Sequence, residues 1–162
     1  EGVEEGIRRG LYLFRECSGG DRAVQLLCCR SILREVIAAA ELLEEDYGVS
    51  ASIWSATSFT ELRRDGEAVE RRNRLAADGE DKSWVEQCLA GHPGPAVAAT
   101  DYVRSFAEQI RPWVPQSRYV VLEADGVSQV GFDDTEAEPV EEEKLADWRI
   151  QAAEEKEPID VE

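Results

Sequence analysis

Residues 23–57, AVQLLCCRSILREVIAAAELLEEDYGVSASIWSAT, decide the fold class of this chain. The stretch begins with an apolar run from Ala23 to Cys29, which is typical of a strand buried on both faces. Apolar residues then recur at helical spacing from Ile32 to Tyr47, and a second strand, SIWSAT, occupies residues 52–57. A strand, a helix and a strand in this order predict two parallel strands joined by a crossover helix.

Capping residues mark the ends of the predicted helices. Ser31 is a candidate N-cap for the first helix, and Gly48 is a candidate left-handed C-cap. Residues 58–61 (SFTE) and 83–86 (SWVE) both have the Ser-x-x-Glu form of a capping box, in which each side chain bonds the backbone N–H of the other residue. Two further helices are therefore predicted to begin at these points.

The remaining segments continue this alternation. Apolar runs predict three more strands: Leu11 to Phe14 at a sheet edge, Ala96 to Ala99, and Arg118 to Ala124. Between the last two strands we expect a helix over Tyr102 to Ile110, with Thr100 or Asp101 as its cap. The whole pattern predicts an α/β domain, in which helices cover both faces of a three-layer, mostly parallel mixed sheet of about five strands.

Negative charge is concentrated at the end of the chain. The 162 residues include 35 acids and 18 bases, for a formal net charge of −17. Residues 1–125 hold 22 acids and 15 bases, a net of −7, whereas residues 126–162 hold 13 acids and 3 bases, a net of −10. We therefore predict a domain over residues 1–126 and an acidic tail over residues 127–162, partly helical or disordered.

The charge also excludes classes of partner. A strongly acidic surface repels nucleic-acid phosphates and anionic lipids. No apolar run approaches the ~20 residues that cross a bilayer. Neither a nucleic acid nor a membrane is therefore expected as a partner. The chain contains no Met, so we expect either a fragment of a longer protein or a renumbered sequence.

The four cysteines, Cys17, Cys28, Cys29 and Cys88, have spacings that match no zinc, haem or Cys-x-x-Cys pattern. We expect free thiols that act as small buried apolar side chains rather than as a metal or redox site. The first residues lack the basic and apolar segments of a signal peptide. Free thiols without a secretory signal favour a reducing, cytoplasmic location.

The strand ends show no self-contained active site. A doubly wound sheet binds its ligand at the carboxyl ends of its strands, but residues 28–30 (CCR) stand where a phosphate-binding loop would need glycine. His92 lies in a Gly-His-Pro turn, and we expect a solvated loop residue rather than a general base. Asp101 and Asp125 could form a carboxylate pair at these ends, although capping and turn formation are the favoured roles of both.

The only cluster of basic residues lies between residues 63 and 74. One interpretation is an anion-binding site. The favoured interpretation is a set of ion pairs with the interleaved acids, because both kinds of charge recur at helical spacing. The arginines are Arg63, Arg64, Arg71, Arg72 and Arg74, and the acids are Glu61, Asp65, Glu67 and Glu70.

Several long segments resemble one protein family. They are VQLL (24–27), SILREVIAAAELLEEDYGVSASIWSATSFTELRRDG (31–66), EAVERRNRL (67–75), PAVAATDYVRSFAEQIRPWVP (95–115) and RYVVLEADG (118–126). In this order they resemble the C-terminal, transketolase-like domain of the thiamine diphosphate-dependent decarboxylase in bacterial pyruvate dehydrogenase of the homodimeric type. The resemblance covers roughly residues 2–126 and is strongest over residues 54–62 and 99–112.

The resemblance implies a scaffold rather than a catalyst. In that family, thiamine diphosphate and magnesium are held between the other two domains of two subunits, so no catalytic, cofactor-binding or metal-binding residue is expected in this chain. The C-terminal domain supplies architecture and subunit contacts. The matching motifs imply these structural or interface candidates: Ser58, Phe59, Thr60, Glu61, Thr100, Asp101, Tyr102, Phe106, Glu108 and Gln109.

The implied partners are the remaining domains of a longer chain, a second copy of the chain, or a component of a 2-oxo acid dehydrogenase complex. After Gly126 the acidic tail replaces the family's final helix and apolar segment, which could uncover part of the sheet. The alternative is a free-standing interaction protein that docks a partner through its acidic tail. A third hypothesis is a small enzyme that uses Asp101, Asp125 or Cys29.

Overall fold

The computed structural model describes residues 3–17, 22–76 and 79–123. The predicted acidic tail and the candidate carboxylate Asp125 lie outside these residues. The helices are α1 (Val3–Arg9), α2 (Leu33–Tyr47), α3 (Phe59–Leu75), α4 (Trp84–Leu89) and α5 (Ser105–Glu108). The strands are β1 (Leu11–Arg15), β2 (Ala23–Cys28), β3 (Ser50–Ala56), β4 (Ala96–Thr100) and β5 (Tyr119–Glu123). Two 3₁₀ turns cover Arg30–Ile32 and Arg111–Trp113.

The described strands form one five-stranded sheet in the order β1-β3-β2-β4-β5. Strand β1 is antiparallel to β3 at one edge, and the other three pairings are parallel. In the parallel register, Leu27 of β2 lies beside Trp54 of β3 and Ala98 of β4. The predicted mixed, mostly parallel sheet with an antiparallel edge strand is confirmed.

Helices pack on both faces of this sheet, as the three-layer prediction requires. Successive side chains of a strand point to opposite faces. Leu27 and Trp54 therefore join a cluster with apolar residues of α3, α4 and α5, while Leu26 and Ile53 join a second cluster with α2. Fully burying one such leucine stabilises the fold by roughly 1.5–3 kcal/mol. On the α2 side the sheet is less covered near its far edge, where Leu122 of β5 is 38% exposed.

The start of α2 differs from the prediction, and its end agrees with it. Ser31 does not cap the helix, because it lies within the 3₁₀ turn and the N-cap position falls on Ile32, which makes no side-chain capping bond. At the other end, Gly48 adopts the left-handed conformation with φ of 61°. Its N–H donates to the carbonyl of Glu44 at 3.1 Å, so the glycine cap is confirmed.

Of the two predicted capping boxes, one is complete and the other is half formed. Ser83 Oγ accepts from the N–H of Glu86, and the Glu86 carboxylate accepts from the N–H of Ser83 at 2.8 Å. Ser58 Oγ likewise accepts from the N–H of Glu61 at 3.2 Å. The Glu61 carboxylate does not return the bond, since it pairs instead with Arg64.

The last predicted helix is shorter than the apolar pattern indicates. Helix α5 covers only Ser105–Glu108, and neither Thr100 nor Asp101 caps it. Thr100 Oγ1 accepts instead from the N–H of Tyr102 at 3.1 Å. The N–H of Arg104 donates to the Glu123 carboxylate at 2.6 Å. These bonds hold the segment after β4 outside the helix, which delays its start.

Candidate functional site

The point where the sheet reverses direction lies between β2 and β4. The chain leaves β2 through α2 on one face of the sheet, and it leaves β4 toward α5 on the other face. Ligands of doubly wound sheets bind at the carboxyl ends of two such strands. Cys29 follows β2 and Asp101 follows β4, and the register pairs Cys28 with Ala99 just before them.

Side chains fill this position and bond to one another. Cys29 Sγ donates to Asp101 Oδ1 at 2.9 Å and lies 3.3 Å from Ser31 Oγ and 4.0 Å from Thr100 Oγ1. Hydrogen bonds from Cys29 and Ser31 lower the pKa of Asp101, more than burial raises it. Cys29 itself is buried, at 9% exposure. The cluster of Cys29, Ser31, Thr100 and Asp101 therefore ties the two loops together.

This arrangement does not favour catalysis. A carboxylate whose pKa is lowered binds a proton weakly, so Asp101 is a poor general base at neutral pH. Its predicted partner Asp125 lies outside the described residues. Within residues 3–17, 22–76 and 79–123, no three side chains of His, Cys, Asp or Glu converge as a metal site would require.

The thiols are free, and two of the four are buried as predicted. Cys28 is fully buried on the α2 side, next to the Trp54 carbonyl at 3.6 Å. Burial, and then the nearby Cys29, raise its pKa to about 12. Cys17 and Cys88 are only half-buried. Burial raises the pKa of Cys88 to about 11.

The end of β3 holds the α1–β1 connection. The N–H groups of Thr57 and Ser58 donate to the carbonyl of Gly10 at 2.9 and 3.3 Å, and Thr57 Oγ1 donates to the carbonyl of Ile7 at 2.9 Å. Gly10 has φ of 98°, and a side chain there would meet the Ser58 carbonyl. In the described structure, Ser58 and Glu61 thus have local structural roles, at the start of α3.

Three of the candidate residues form a row of aromatic rings that runs from the core to the surface. Phe59 is buried at 1% exposure, and its ring lies edge-on to Phe106 with centroids 6.1 Å apart. The rings of Phe106 and Tyr102 also pack together, with their centroids 5.2 Å apart. Phe106 is 37% exposed, Tyr102 59% and the neighbouring Val103 65%. We call the exposed residues Tyr102, Val103 and Phe106 the Tyr102 patch.

The other two candidates of this segment hold α5 in place. Glu108 accepts hydrogen bonds from Arg111 at 2.8 Å and from Arg104 at 3.1 Å, and these bonds outweigh burial and lower its pKa. Arg111 Nη1 also donates to the Tyr119 carbonyl at 2.8 Å, which joins α5 to β5. Gln109 Nε2 donates to the Phe106 carbonyl at 2.6 Å. Both side chains therefore stabilise the backbone that carries the Tyr102 patch.

His92 is not the solvated residue that its turn predicts. Its ring packs edge-on against Trp54, with centroids 4.9 Å apart, and its Nδ1 is buried. Trp54 Nε1 donates to Gln25 Oε1 at 2.9 Å, and Gln25 Nε2 donates to the Pro93 carbonyl at 2.8 Å. This buried network was not predicted. Its only sequence signal is a single polar residue, Gln25, within the apolar run of β2.

The predicted ion pairs of α3 form in part. Arg63 Nε lies 3.8 Å from Glu67 Oε1, four residues along the helix. Arg64 pairs with Glu61, three residues before it. These two contacts confirm the prediction from helical spacing.

The same prediction was wrong for Asp65 and Glu70, which bind other elements. Glu70 accepts from Trp113 Nε1 at 2.9 Å. Asp65 accepts from Arg9 of α1 at 3.3 Å and from the N–H of Trp84 at 2.6 Å. The Arg9 guanidinium also lies over the Trp84 ring, 4.0 Å from its centroid. Both acids therefore join separate elements, which a pattern within one helix does not reveal.

Comparison with known proteins places these observations in one family. The family model for the transketolase-like TK C-terminal domain matches residues 10–133. The chain is 53% identical over 128 residues to the pyruvate dehydrogenase E1 component of Pseudomonas aeruginosa. It is 48% identical over 127 residues to the one from Escherichia coli K12, and 40% identical over 133 residues to the one from Mycolicibacterium smegmatis. The resemblance found in the sequence is confirmed.

The matched region covers most of this chain and a small part of each relative. It spans 78%, 78% and 81% of the chain for these three proteins, and 14% of each relative's length. The match lies in the C-terminal region of the relatives. No helix among the described residues is both long enough and apolar enough to cross a membrane.

Proposed function

Because the chain belongs to the transketolase-like C-terminal domain family, we propose that it is the structural and subunit-contact domain of a thiamine diphosphate-dependent pyruvate dehydrogenase. One observation carries this proposal. The chain matches 14% of an E1 component at 53% identity. The polar groups that follow β2 and β4 are bonded to one another, which agrees with this proposal. A domain of this kind contributes to the enzyme by packing, and the reaction takes place elsewhere in the longer protein.

The cofactor belongs, in this proposal, to the other domains of that longer protein. Thiamine diphosphate would supply the carbanion chemistry of a decarboxylase there. The described residues of this chain take no part in holding it. Their role is to keep the sheet and the Tyr102 patch rigid, through the tie between Cys29 and Asp101 and the bonds of Glu108.

The proposed subunit contact is the Tyr102 patch. Exposed aromatic side chains are enriched at protein interfaces, where they bury large areas at low cost in conformational entropy. The buried ring of Phe59 packs against Phe106, and Phe106 packs against Tyr102, so the patch is pre-organised. The partner is a second copy of the chain or the remaining domains of the longer protein.

Two further proposals follow from the same role. A longer enzyme of this kind would work within a 2-oxo acid dehydrogenase complex, and its free thiols suit a cytoplasmic location. The alternative of a free-standing interaction protein is less favoured, because each relative described above carries this domain as part of a much longer enzyme.

A domain exchange tests the proposal. The C-terminal region of the Pseudomonas aeruginosa E1 component would be replaced by this whole chain, and pyruvate oxidation and the sedimentation coefficient would be measured. We expect the hybrid to bind thiamine diphosphate and to retain activity. Tyr102→Ser combined with Phe106→Ser should weaken its subunit association by at least ~10-fold, because hot-spot aromatics contribute 2 kcal/mol or more.

The matched control is Leu42→Ser, which removes a 48% exposed apolar side chain from α2 instead. It should leave association unchanged. A hybrid that assembles but is inactive, or a control that dissociates as readily as the patch variant, would reject the scaffold role. Stoichiometric binding of thiamine diphosphate by this chain alone, measured by calorimetry, would show a site that the proposal denies.

A further inference from the structure

The solvent face of α3 carries a stripe of alternating basic and small or apolar residues. Arg64, Ala68, Arg71 and Leu75 follow one another at spacings of four, three and four, which places them on one side of the helix. All four are exposed. Leu75 is 79% exposed, more than any other large apolar side chain in the described part of the chain. We call these four residues the α3 stripe.

The acids of α3 do not neutralise the end of this stripe. They are engaged elsewhere: Glu61 with Arg64, Asp65 with Arg9 and the N–H of Trp84, Glu67 with Arg63, and Glu70 with Trp113. Arg72 pairs with Asp81 at 3.4 Å. Within the described ranges, Arg71 and Arg74 have no acidic partner. Residues 69–75 hold three arginines and one glutamate, so the last two turns of α3 carry a net positive charge around an exposed leucine.

A shallow groove borders the stripe on its α1 side. Its volume is about 450 Å³, and it is lined by three arginines, two acids and an alanine: Arg8, Arg9, Arg64, Glu61, Asp65 and Ala68. Asp65 is turned inward to Arg9 and Trp84. The groove thus adds a concave edge and two further guanidinium groups beside the stripe.

We propose that the α3 stripe, with this groove, docks an acidic amphipathic helix of a partner protein. Charge complementarity supports this occupant, since Arg71, which has no acidic partner among the described residues, lies on the helix face next to Ala68 and Leu75. A helix that carries apolar residues along one side and glutamates beside them would match both features at the same spacing. Such an interface would have a small apolar centre surrounded by charged residues, which is typical of transient complexes.

The acidity of the whole chain does not oppose such a partner. Charges in solution are screened beyond about 10 Å at 0.1 M ionic strength, so the arginines next to the partner dominate its interaction. The net charge of −17 does oppose a nucleic acid, whose phosphates extend well past the stripe. Helix α2, by contrast, carries five acids and one arginine, so it would repel the same partner.

Fluorescence anisotropy with the full-length chain tests the proposal. The probe is a labelled synthetic helix of glutamates, about five turns long, with leucines at spacings of four, three and four. The chain would be compared with Arg71→Glu and Leu75→Ser. Their matched controls on α2 are Arg34→Glu, also exposed, and Leu42→Ser, which is 48% exposed.

We expect Arg71→Glu to weaken binding by ~10-fold or more and Leu75→Ser by a few-fold, with both controls unchanged. Raising the salt from about 0.05 M to 0.5 M should abolish most of the binding. Absence of binding to the probe would overturn the proposal. It would also be overturned if Arg34→Glu weakened binding as much as Arg71→Glu does, or if a probe with the same residues in scrambled order bound equally well. Tighter binding of duplex DNA than of the probe at this face would overturn it too.

Discussion

Cys29 Sγ lies 2.9 Å from Asp101 Oδ1, although 72 residues separate the two in the chain. The contact joins the loop after β2 to the loop after β4 at the point where the sheet reverses direction. In an enzyme with this architecture, that point would be open to a ligand. Here it is closed by a thiol, two hydroxyls and a carboxylate, which contact one another.

The first prediction concerns the charge of Asp101. Asp101→Asn should lower the free energy of unfolding by about 1–2 kcal/mol at neutral pH, because hydrogen bonds to a charged group contribute more than those to a neutral one. Urea denaturation followed by tryptophan fluorescence measures this change. Asp46→Asn, at an exposed position of α2, is the control and should change stability by less than ~0.5 kcal/mol.

The same pair of proteins should differ in the acid range. The pKa of Asp101 is lower in the folded chain than the ordinary value of 3.8, so the carboxylate stabilises the fold above that value. This stabilisation is lost as the pH falls through the lowered pKa. The difference between Asp101→Asn and the unaltered chain should therefore be constant from about pH 7 to 5 and shrink below about pH 4. A difference that grows with acidity would contradict the assignment.

The second prediction compares the two helix caps. Ser83→Ala should destabilise the chain by about 1–2 kcal/mol, since Ser83 is buried and its capping box is complete. Ser58→Ala should lower the stability by roughly half as much, because Ser58 is partly exposed and only one of the two capping-box hydrogen bonds is present. Thermal unfolding of both variants tests the order. Equal losses would indicate that the Glu86 bond contributes little.

The third prediction concerns Gly66, in the middle of α3. A side-chain carbon at this position would overlap the ring of Trp113, which is buried and held by Glu70. Alanine would improve helix propensity by about 1 kcal/mol. Overpacking typically costs 1–3 kcal/mol, and the overlap here is severe, so Gly66→Ala should be destabilising overall at roughly 1–2 kcal/mol.

Gly48→Ala separates this effect from backbone strain. Gly48 has φ of 61° and no atom within 4 Å of the added carbon, so its substitution should cost about 1 kcal/mol without disturbing any neighbour. Only Gly66→Ala should also shift the fluorescence of Trp113. If Gly66→Ala raises the midpoint of urea unfolding, the close approach of α3 to Trp113 is wrong.

The fourth prediction concerns the reactivity of the thiols. Burial raises the pKa of Cys88 from 9.0 to about 11 and that of Cys28 to about 12. Only the thiolate reacts, so at pH 8 alkylation by iodoacetamide should be about 100-fold slower at Cys88 than in the unfolded chain, and slower still at Cys28. Mass spectrometry of each peptide, with and without urea, measures these rates. Rapid labelling of Cys28 in the folded chain would refute its burial.

The alternation of apolar residues was sufficient to predict the architecture. A continuous apolar run is typical of a strand buried on both faces, and an apolar stripe at helical spacing faces the core, so β2, α2 and β3 follow from local pattern and burial. The Ser-x-x-Glu segments and Gly48 are equally local signals, and both capping serines bond the amides that the pattern indicates. The family resemblance rests on the same residues read in order.

The contacts that the sequence did not predict are made by residues that lie far apart in the chain. Ser31 was predicted as a cap and lies instead beside Cys29 and Asp101, and the residues after Thr100 are held out of a helix by hydrogen bonds to other elements. His92 packs on Trp54, and the carboxylate of Asp65 is taken by Arg9.

The sequence by itself therefore determined the class of the sheet, the order of its elements and the family. The sheet and the order of its elements follow from periodicity, and the family follows from the resemblance of whole segments, both of which are properties of contiguous residues. Only the tertiary structure decided which polar groups meet, because a hydrogen bond requires two atoms within about 3 Å and packing brings such atoms together from any separation along the chain. The closed strand ends, the Tyr102 patch and the exposed stripe of α3 are all products of that packing.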